Sequence, residues 1–362
     1  MKIGIDARFY SLHGGLGRYV SELIRHLIAL PNNHQWYFFV PRGTAMDALP
    51  ANCQLIETDI PWYGWREQVQ LPRLLNKYQL DLMHFPHFNI PLLYHRPFVV
   101  TIHDLILLTQ PDSAQATTLG PLRYQLKRLA YRATLWKAVT AARAIIATSE
   151  HTKRDIQKFF PSAKNITVTY QASCWPVMPS TRERRRQFLY VGNCYPHKNV
   201  GLLIRTFATF AQTHPEYRLI IGSHADAFFT SLMQTTAKEY PQAPVTFLAD
   251  PTDGQVQELY QTSELYVFPS RYEGFGLPGL EAMAAGLPVV CSDSSCLPEI
   301  YGQAACYFRS DSQADLLRIL SELTASSDQR AELQAAGYAQ VRRYSWQRLA
   351  VDTLAIYEKA LS

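Results

Sequence analysis

The stretch PSRYEGFGLPGLEAMAAGLPVVCSD, Pro269 to Asp293, decides how the chain is read. It follows an apolar run, Leu265–Phe268, with the look of a buried strand. Gly274, Gly276 and Gly279 allow a tight turn and a close approach to a ligand. Pro278 suits the first turn of a helix, where its missing N–H costs nothing. Gly286 is placed to end that helix, and Pro288 opens the next strand. Strand, glycine loop and short helix follow, with exposed amides at the helix start that favour an anion. Glu273 lies just before the helix and Glu281 is expected on its first turn, so both acids face one mouth. Carboxylates accept hydrogen bonds from paired hydroxyls, which sugars and riboses offer. An anion at the amides beside two such acids describes a nucleotide-sugar site. The bland alternative is two solvated acids near a helix start, where acids are favoured anyway.

The segment resembles the retaining glycosyltransferases of family 4, which have the GT-B fold, and within them the bacterial mannosyltransferase-like group. The family signature is Glu, seven residues, Glu, with a Gly-Phe-Gly-Leu-Pro core, here Gly274-Phe275-Gly276-Leu277-Pro278. The resemblance implies that Glu273 contacts the donor sugar and Glu281 the ribose. Phe275, Gly276 and Leu277 would line the donor, with the amides around Gly276 at its phosphates.

At 362 residues the chain has room for two domains with separate cores. A 47% hydrophobic content with 18% charge fits a globular protein. The formal charge of +5 is mild and calls for no nucleic acid. No apolar run approaches the ~20 residues that span a bilayer. MKIGIDARFY reads as a strand ending in Asp6 and Arg8, not as a signal peptide. The scattered cysteines, Cys291 and Cys296 among them, fit a reduced cytoplasmic protein rather than a zinc site.

Short β-rich runs alternate with helical patterns throughout. In the first half they cover residues 2–6, 35–40, 53–57, 81–85, 98–103 and 144–148; in the second, 188–192, 217–222, 245–248, 265–268 and 288–292. Helical stretches such as 17–30 and 199–213 join them, which predicts two parallel sheets, each doubly wound. The fold class is therefore α/β, and the resemblance makes it GT-B, two Rossmann-like domains facing a cleft. CWPVMPSTRERRRQ, Cys174–Gln187, marks the boundary, and its basic run Arg182–Arg186 reads as solvated linker. The expected domains are 1–175 on the acceptor side, 188–345 on the donor side, and a helix over 346–362 that the resemblance sends back to the first domain.

VGNCYPHKN, Val191–Asn199, puts Lys198 past the carboxyl end of a parallel strand, where open α/β sheets bind ligands. Its ammonium can pair with a diphosphate. The resemblance gives Lys198 that role and puts Asn193 among the donor contacts, where many members carry arginine. FLADPTDGQVQELYQTSELYVFPS looks like the family's base-binding stretch, with backbone around Leu248 at the base edge. Glu299, in SDSSCLPEI, reads as structural.

HGGLGRYV supplies a second glycine loop before a helix. It is not a dinucleotide fingerprint, but its amides, Gly15 and Leu16 first, fit the donor phosphates in the family. TIHDL sets His103 and Asp104 past another strand; the resemblance puts His103 against the donor sugar, and Asp104 would orient it. Ser149 reads as a helix N-cap. PLRYQLKRLAYRATLWKAVTAARA interleaves Arg123, Lys127, Arg128, Arg132 and Lys137 with leucines, the pattern of a helix on anionic lipid as well as of a helix packing on its sheet.

The implied activity is transfer of a hexose, mannose-like, from a nucleoside-diphosphate sugar to a saccharide or lipid-linked saccharide acceptor. Configuration is retained, and neither metal nor cofactor is expected. Glu273, Lys198 and His103 are the catalytic candidates. The setting is cell-surface polysaccharide or lipopolysaccharide synthesis in the cytoplasm, with peripheral contact to the inner membrane face through 121–143. A nucleotide-sugar epimerase of the same fold and a catalytically silent nucleotide-sugar-binding subunit stay open as alternatives.

Overall fold

The computed structural model describes residues 1–10, 14–46, 49–110, 121–179 and 182–361, with side chains of 121–124 outside the description. The chain forms two compact units. One comprises Met1–Leu105, Thr117–Gln171 and Ser345–Ser362; the other comprises Ile106–Ala116 and Ala172–Tyr344.

The first unit carries strands β1 (Lys2–Asp6), β2 (Gln35–Pro41), β3 (Cys53–Thr58), β4 (Leu82–Phe85), β5 (Phe98–Ile102), β6 (Ala144–Ala147) and β7 (Ile166–Val168). They pair in parallel in the order β3-β2-β1-β4-β5-β6-β7. Every residue of β4, β5 and β6 is buried, which is why these strands read as largely apolar runs, interrupted only by His84 and Thr101. Strand β7, at the edge and only part-buried, has no such run and gave no sequence signal.

The helix Gly15–Ala29 buries Tyr19, Val20, Leu23, Ile24 and Leu27 along one face. It packs against the last helix, Trp346–Leu361. That helix buries Trp346, Leu349, Ala350, Thr353, Ile356 and Tyr357, one stripe at three- and four-residue spacing. Leu354, next to this stripe, is only half-buried. A buried chain of hydrogen bonds ties the helix to the sheet. Tyr357 Oη meets His84 Nδ1 at 2.6 Å, His84 Nε2 meets Thr101 Oγ1 at 2.8 Å, and Thr101 Oγ1 meets Tyr19 Oη at 3.0 Å.

The second unit carries β8 (Gln187–Val191), β9 (Arg218–Ser223), β10 (Val245–Ala249), β11 (Leu265–Phe268), β12 (Val289–Ser292) and β13 (Ala305–Phe308). All pairs are parallel, in the order β10-β9-β8-β11-β12-β13. The order reverses between β8 and β11, the place where doubly wound sheets open a crevice for ligands. Edge strand β13 also escaped the sequence reading.

Arg184 corrects the expectation of a solvated basic linker. Its half-buried guanidinium donates to the carbonyls of Ser263 and Gly286 at 2.6 Å each, and to those of Tyr260 and Ala285 at 3.3 and 3.4 Å. It pins the chain to the two segments that flank β11. Ser180 and Thr181, in the same stretch, lie outside the described residues.

Candidate active site

The loop after β8 and the loop after β11 flank the reversal of the second sheet, and they meet there. Lys198 ends a short 3-10 turn, Pro196–Lys198. Its Nζ donates to Glu273 Oε1 at 2.7 Å and Oε2 at 2.9 Å and lies 5.8 Å from the centre of the Phe268 ring. The side chains are 14% and 9% exposed, so the ion pair is largely withdrawn from water. The backbone joins the same two loops, since Arg271 N–H donates to the His197 carbonyl at 2.7 Å. Burial, then the neighbouring Lys198 charge, pushes the His197 imidazole down to about 4 against the pull of Glu273, so it is neutral near pH 7.

The helix expected after the glycine loop runs Leu277–Ala284, with Pro278 in its first turn. Gly276 is its N-cap at φ 92°, in the left-handed region that glycine tolerates. No side chain caps the first turn. Two expectations need correction. Glu281 is the fifth helical residue and belongs to the second turn, because the helix starts only at Leu277. Gly276 and Leu277 are buried, so the amides at this helix start are not openly exposed. Gly279 likewise answers to packing: a Cβ there would run into the Tyr301 ring, whose hydroxyl donates to the Gly276 carbonyl at 2.5 Å. Phe275 turns its ring edge-on to Tyr344, 5.8 Å between centres, so what it offers a ligand is backbone.

Glu281 is 4% exposed and Glu273 7%. Both lie near the Tyr266 hydroxyl, which burial first, and then their two charges, hold well above its usual range. Ser295, a residue the sequence did not single out, takes the Glu273 N–H on its Oγ at 2.9 Å. The Asn193 carbonyl accepts from Tyr190 Oη at 2.6 Å, while Asn193 Oδ1 is buried without a hydrogen-bond partner among the described residues. Leu248 stands near the carboxyl end of β10, the far edge strand, paired in register with Gly222.

Gly15, Leu16 and His103 belong to the first unit. Gly15 and Leu16 are the first two residues of the helix Gly15–Ala29, whose N-cap Gly14 gives no side-chain cap. His103 Nε2 meets the Pro86 carbonyl at 2.8 Å, which makes it the protonated nitrogen and leaves Nδ1 an acceptor. Burial pushes this ring down to about 4, although the Pro86 contact pulls the other way. Its backbone carbonyl takes the hydroxyls of Thr148 and Thr152 at 2.8 and 3.1 Å. Ser149 caps the following helix as expected, its side chain accepting from Thr152 N–H.

Two family models match in tandem: Glycosyltransferase Family 4 over residues 13–172, and Glycosyl transferases group 1 over residues 177–340. The chain belongs to glycosyltransferase family 4. It is a glycosyltransferase with the GT-B fold. The chain is 28% identical over 299 residues to the O-antigen chain mannosyltransferase B of Escherichia coli, covering 78% of this chain and 76% of the relative. It is 27% identical over 253 residues to the O-antigen chain mannosyltransferase RfbU of Salmonella typhimurium, covering 70% and 67%. Among solved structures, sucrose-phosphate synthase from Thermosynechococcus elongatus superposes with a TM-score of 0.75 at 17% identity, over 99% of this chain and 98% of that one. No helix among the described residues is long and apolar enough to cross a membrane.

Proposed function

We propose that this family 4 enzyme transfers a mannose-like hexose from a nucleoside-diphosphate sugar, with retention, to a saccharide or lipid-linked saccharide acceptor in lipopolysaccharide or related surface-polysaccharide synthesis. The observation that carries the donor half is the Lys198–Glu273 pair at the strand-order reversal of the second sheet. The names of the O-antigen mannosyltransferase relatives support the sugar and the product class.

In this reading the diphosphate draws the Lys198 ammonium away from Glu273. The freed carboxylate then accepts hydroxyls of the hexose, and Glu281 accepts those of the ribose. Asn193 Oδ1, already buried and unpartnered among the described residues, takes one further hydroxyl. As the C–O bond to the leaving diphosphate breaks, negative charge builds on its oxygens. Lys198 and the backbone around Gly276 stabilise that charge; removing one such donor typically slows a reaction about a hundredfold or more. Gly15 and Leu16 amides supply the same kind of contact from the first unit. His103, neutral with Nδ1 accepting, takes a sugar hydroxyl. Leu248 backbone lies at the base, and neither metal nor cofactor is required. The domains of this reading are 1–175, 188–345 and a returning helix from 346.

The helix Pro121–Ala141 supports a cytoplasmic enzyme held at the inner membrane face. Leu126, Leu129 and Trp136 are 59%, 66% and 61% exposed beside exposed Lys127, Arg128 and Arg132, and the helix sequence contains no acid. Apolar side chains with basic neighbours suit an anionic lipid surface.

A thermal-shift panel of nucleotide-sugars tests the donor. Ligand at a hundredfold over Kd stabilises by about 2.7 kcal/mol, so the true donor raises Tm while free mannose does not. Acceptor-dependent release of nucleoside diphosphate then separates a transferase from an epimerase or a silent binder. No shift with any nucleotide-sugar would end the proposal.

A further inference from the structure

The first sheet has its own reversal, between β1 and β4. The loops beside it carry a buried ionic cluster and an aromatic wall that the donor chemistry does not use. Arg8, just past β1, is 2% exposed. Its guanidinium binds Asp6 at 2.7 and 2.8 Å and Glu67 at 2.6 Å. Asn89 Nδ2 donates to both Glu67 oxygens at 2.8 and 2.7 Å. The second Glu67 oxygen also takes the Tyr63 N–H at 2.9 Å.

This cluster fixes Tyr63 at φ 57°, a conformation costly for an aromatic residue, with 62% of its surface exposed. Fully paired buried charges hold a strained turn that presents a ring to solvent. Around it, His87 stands edge-on to Tyr63 at 6.2 Å and lies 4.1 Å from Phe88, and Tyr131 meets Phe88 edge-on at 5.0 Å. Trp62 stacks on Phe9 at 5.0 Å, and its buried Nε1 has no hydrogen-bond partner among the described residues. His103 is 6.4 Å from His87, so the wall adjoins the first unit's catalytic candidate.

The chemistry is that of a sugar cleft. The C–H face of a pyranose is apolar and stacks on an aromatic face, which carries partial negative charge. Hydroxyls at the ring edge need a few fixed polar groups. Asp104, half-buried beside His103, is near enough for its charge to act on the Tyr63 and Tyr131 hydroxyls, and burial first, then Asp104, holds Tyr131 well above its usual range. Both phenols therefore stay protonated as hydrogen-bond donors.

We propose that Tyr63, Trp62, His87, Tyr131 and Asp104 form the binding site for a hexose ring of the acceptor, with Tyr63 as its stacking platform and the Asp6–Arg8–Glu67 cluster as its mount. The site deepens the transferase reading and rests on it only for the use made of the bound sugar.

A glycan array probed with wild type, Tyr63→Phe, Tyr63→Ala and Asp104→Asn tests the site, alongside calorimetric titration of the same proteins with GDP-mannose and UDP-glucose. Wild type is expected to bind hexose-terminated glycans. Tyr63→Phe keeps the stack and most of the binding, whereas Tyr63→Ala and Asp104→Asn each weaken it tenfold or more. Donor affinity is unchanged in both Tyr63 variants. Tyr131→Phe, which leaves the rings in place, carries the same tenfold expectation should Tyr63→Ala melt early. Equal glycan binding by wild type and Tyr63→Ala, or no glycan bound by wild type, overturns the site. So does loss in Tyr63→Ala of binding to anionic phospholipid vesicles but not to glycans. Absence of donor affinity with glycan binding intact would instead strike the donor reading alone.

Discussion

Lys198 Nζ bridges both oxygens of the Glu273 carboxylate although the residues are 75 positions apart in sequence. In the proposed exchange a nucleotide-sugar separates the two. Lys198→Ala is therefore expected to weaken nucleoside-diphosphate binding tenfold or more, about 1.4 kcal/mol. Glu273→Ala leaves an unpaired ammonium and should hold or tighten that binding while transfer falls at least tenfold. Calorimetry with the nucleotide and a transfer assay read the two effects separately; parallel loss of both in each variant would contradict the exchange.

The Tyr301 ring fills the space beside Gly279. Gly279→Ala should cost about 1–3 kcal/mol through overpacking, measured by urea unfolding. Tyr301→Phe keeps the ring and loses the bond to the Gly276 carbonyl, about 1 kcal/mol. In the double variant Gly279→Ala/Tyr301→Ala the alanine no longer collides, so the loss should fall short of the sum of the Gly279→Ala and Tyr301→Ala single variants.

His84 is fully buried with both ring nitrogens engaged, and burial first, then His103, pushes it down to about 3 from an ordinary 6.5. The folded protein thus binds fewer protons than the unfolded chain between those values. Its contribution to stability is complete above pH 6.5 and is lost as pH falls towards 3, with about 2 kcal/mol gone by pH 5. His87, His103 and His197 shift in the same direction. Urea midpoints at pH 7, 6 and 5 should decline, and His84→Gln should flatten the decline by up to one proton; identical slopes would refute the assignment.

Arg184 satisfies carbonyls on both sides of β11. Arg184→Ala should cost about 1–3 kcal/mol, because it strands buried acceptors, whereas Arg182→Ala, on an exposed surface pair, should be nearly neutral in the same denaturation experiment.

The contrast between these two arginines shows what the sequence could carry. The buried strands β4, β5, β6, β11 and β12 were legible because burial on both faces leaves mostly apolar residues, with His84, Thr101 and Ser292 the polar exceptions. The edge strands β7 and β13 lack that constraint. Glu273, Glu281 and Lys198 stood out by glycine pattern, family signature and strand-end position. Their pairing did not, since it depends on β8 lying next to β11. Arg184 looked like linker because its acceptors are peptide carbonyls, which leave no side-chain signature. The Tyr63 mount was hidden for a similar reason: Arg8, Glu67 and Asn89 come from three separate segments.

The first unit owns both early and late parts of the chain, since Ser345–Ser362 joins Met1–Leu105 and Thr117–Gln171. On the ribosome, the partner for His84 and the cover for the face of Tyr19 and Leu23 emerge only after the whole stretch Ala172–Tyr344 has been made. At about 5–20 residues per second that delay is roughly 10–35 seconds. The unit translated first is therefore completed only by the last segment to be made.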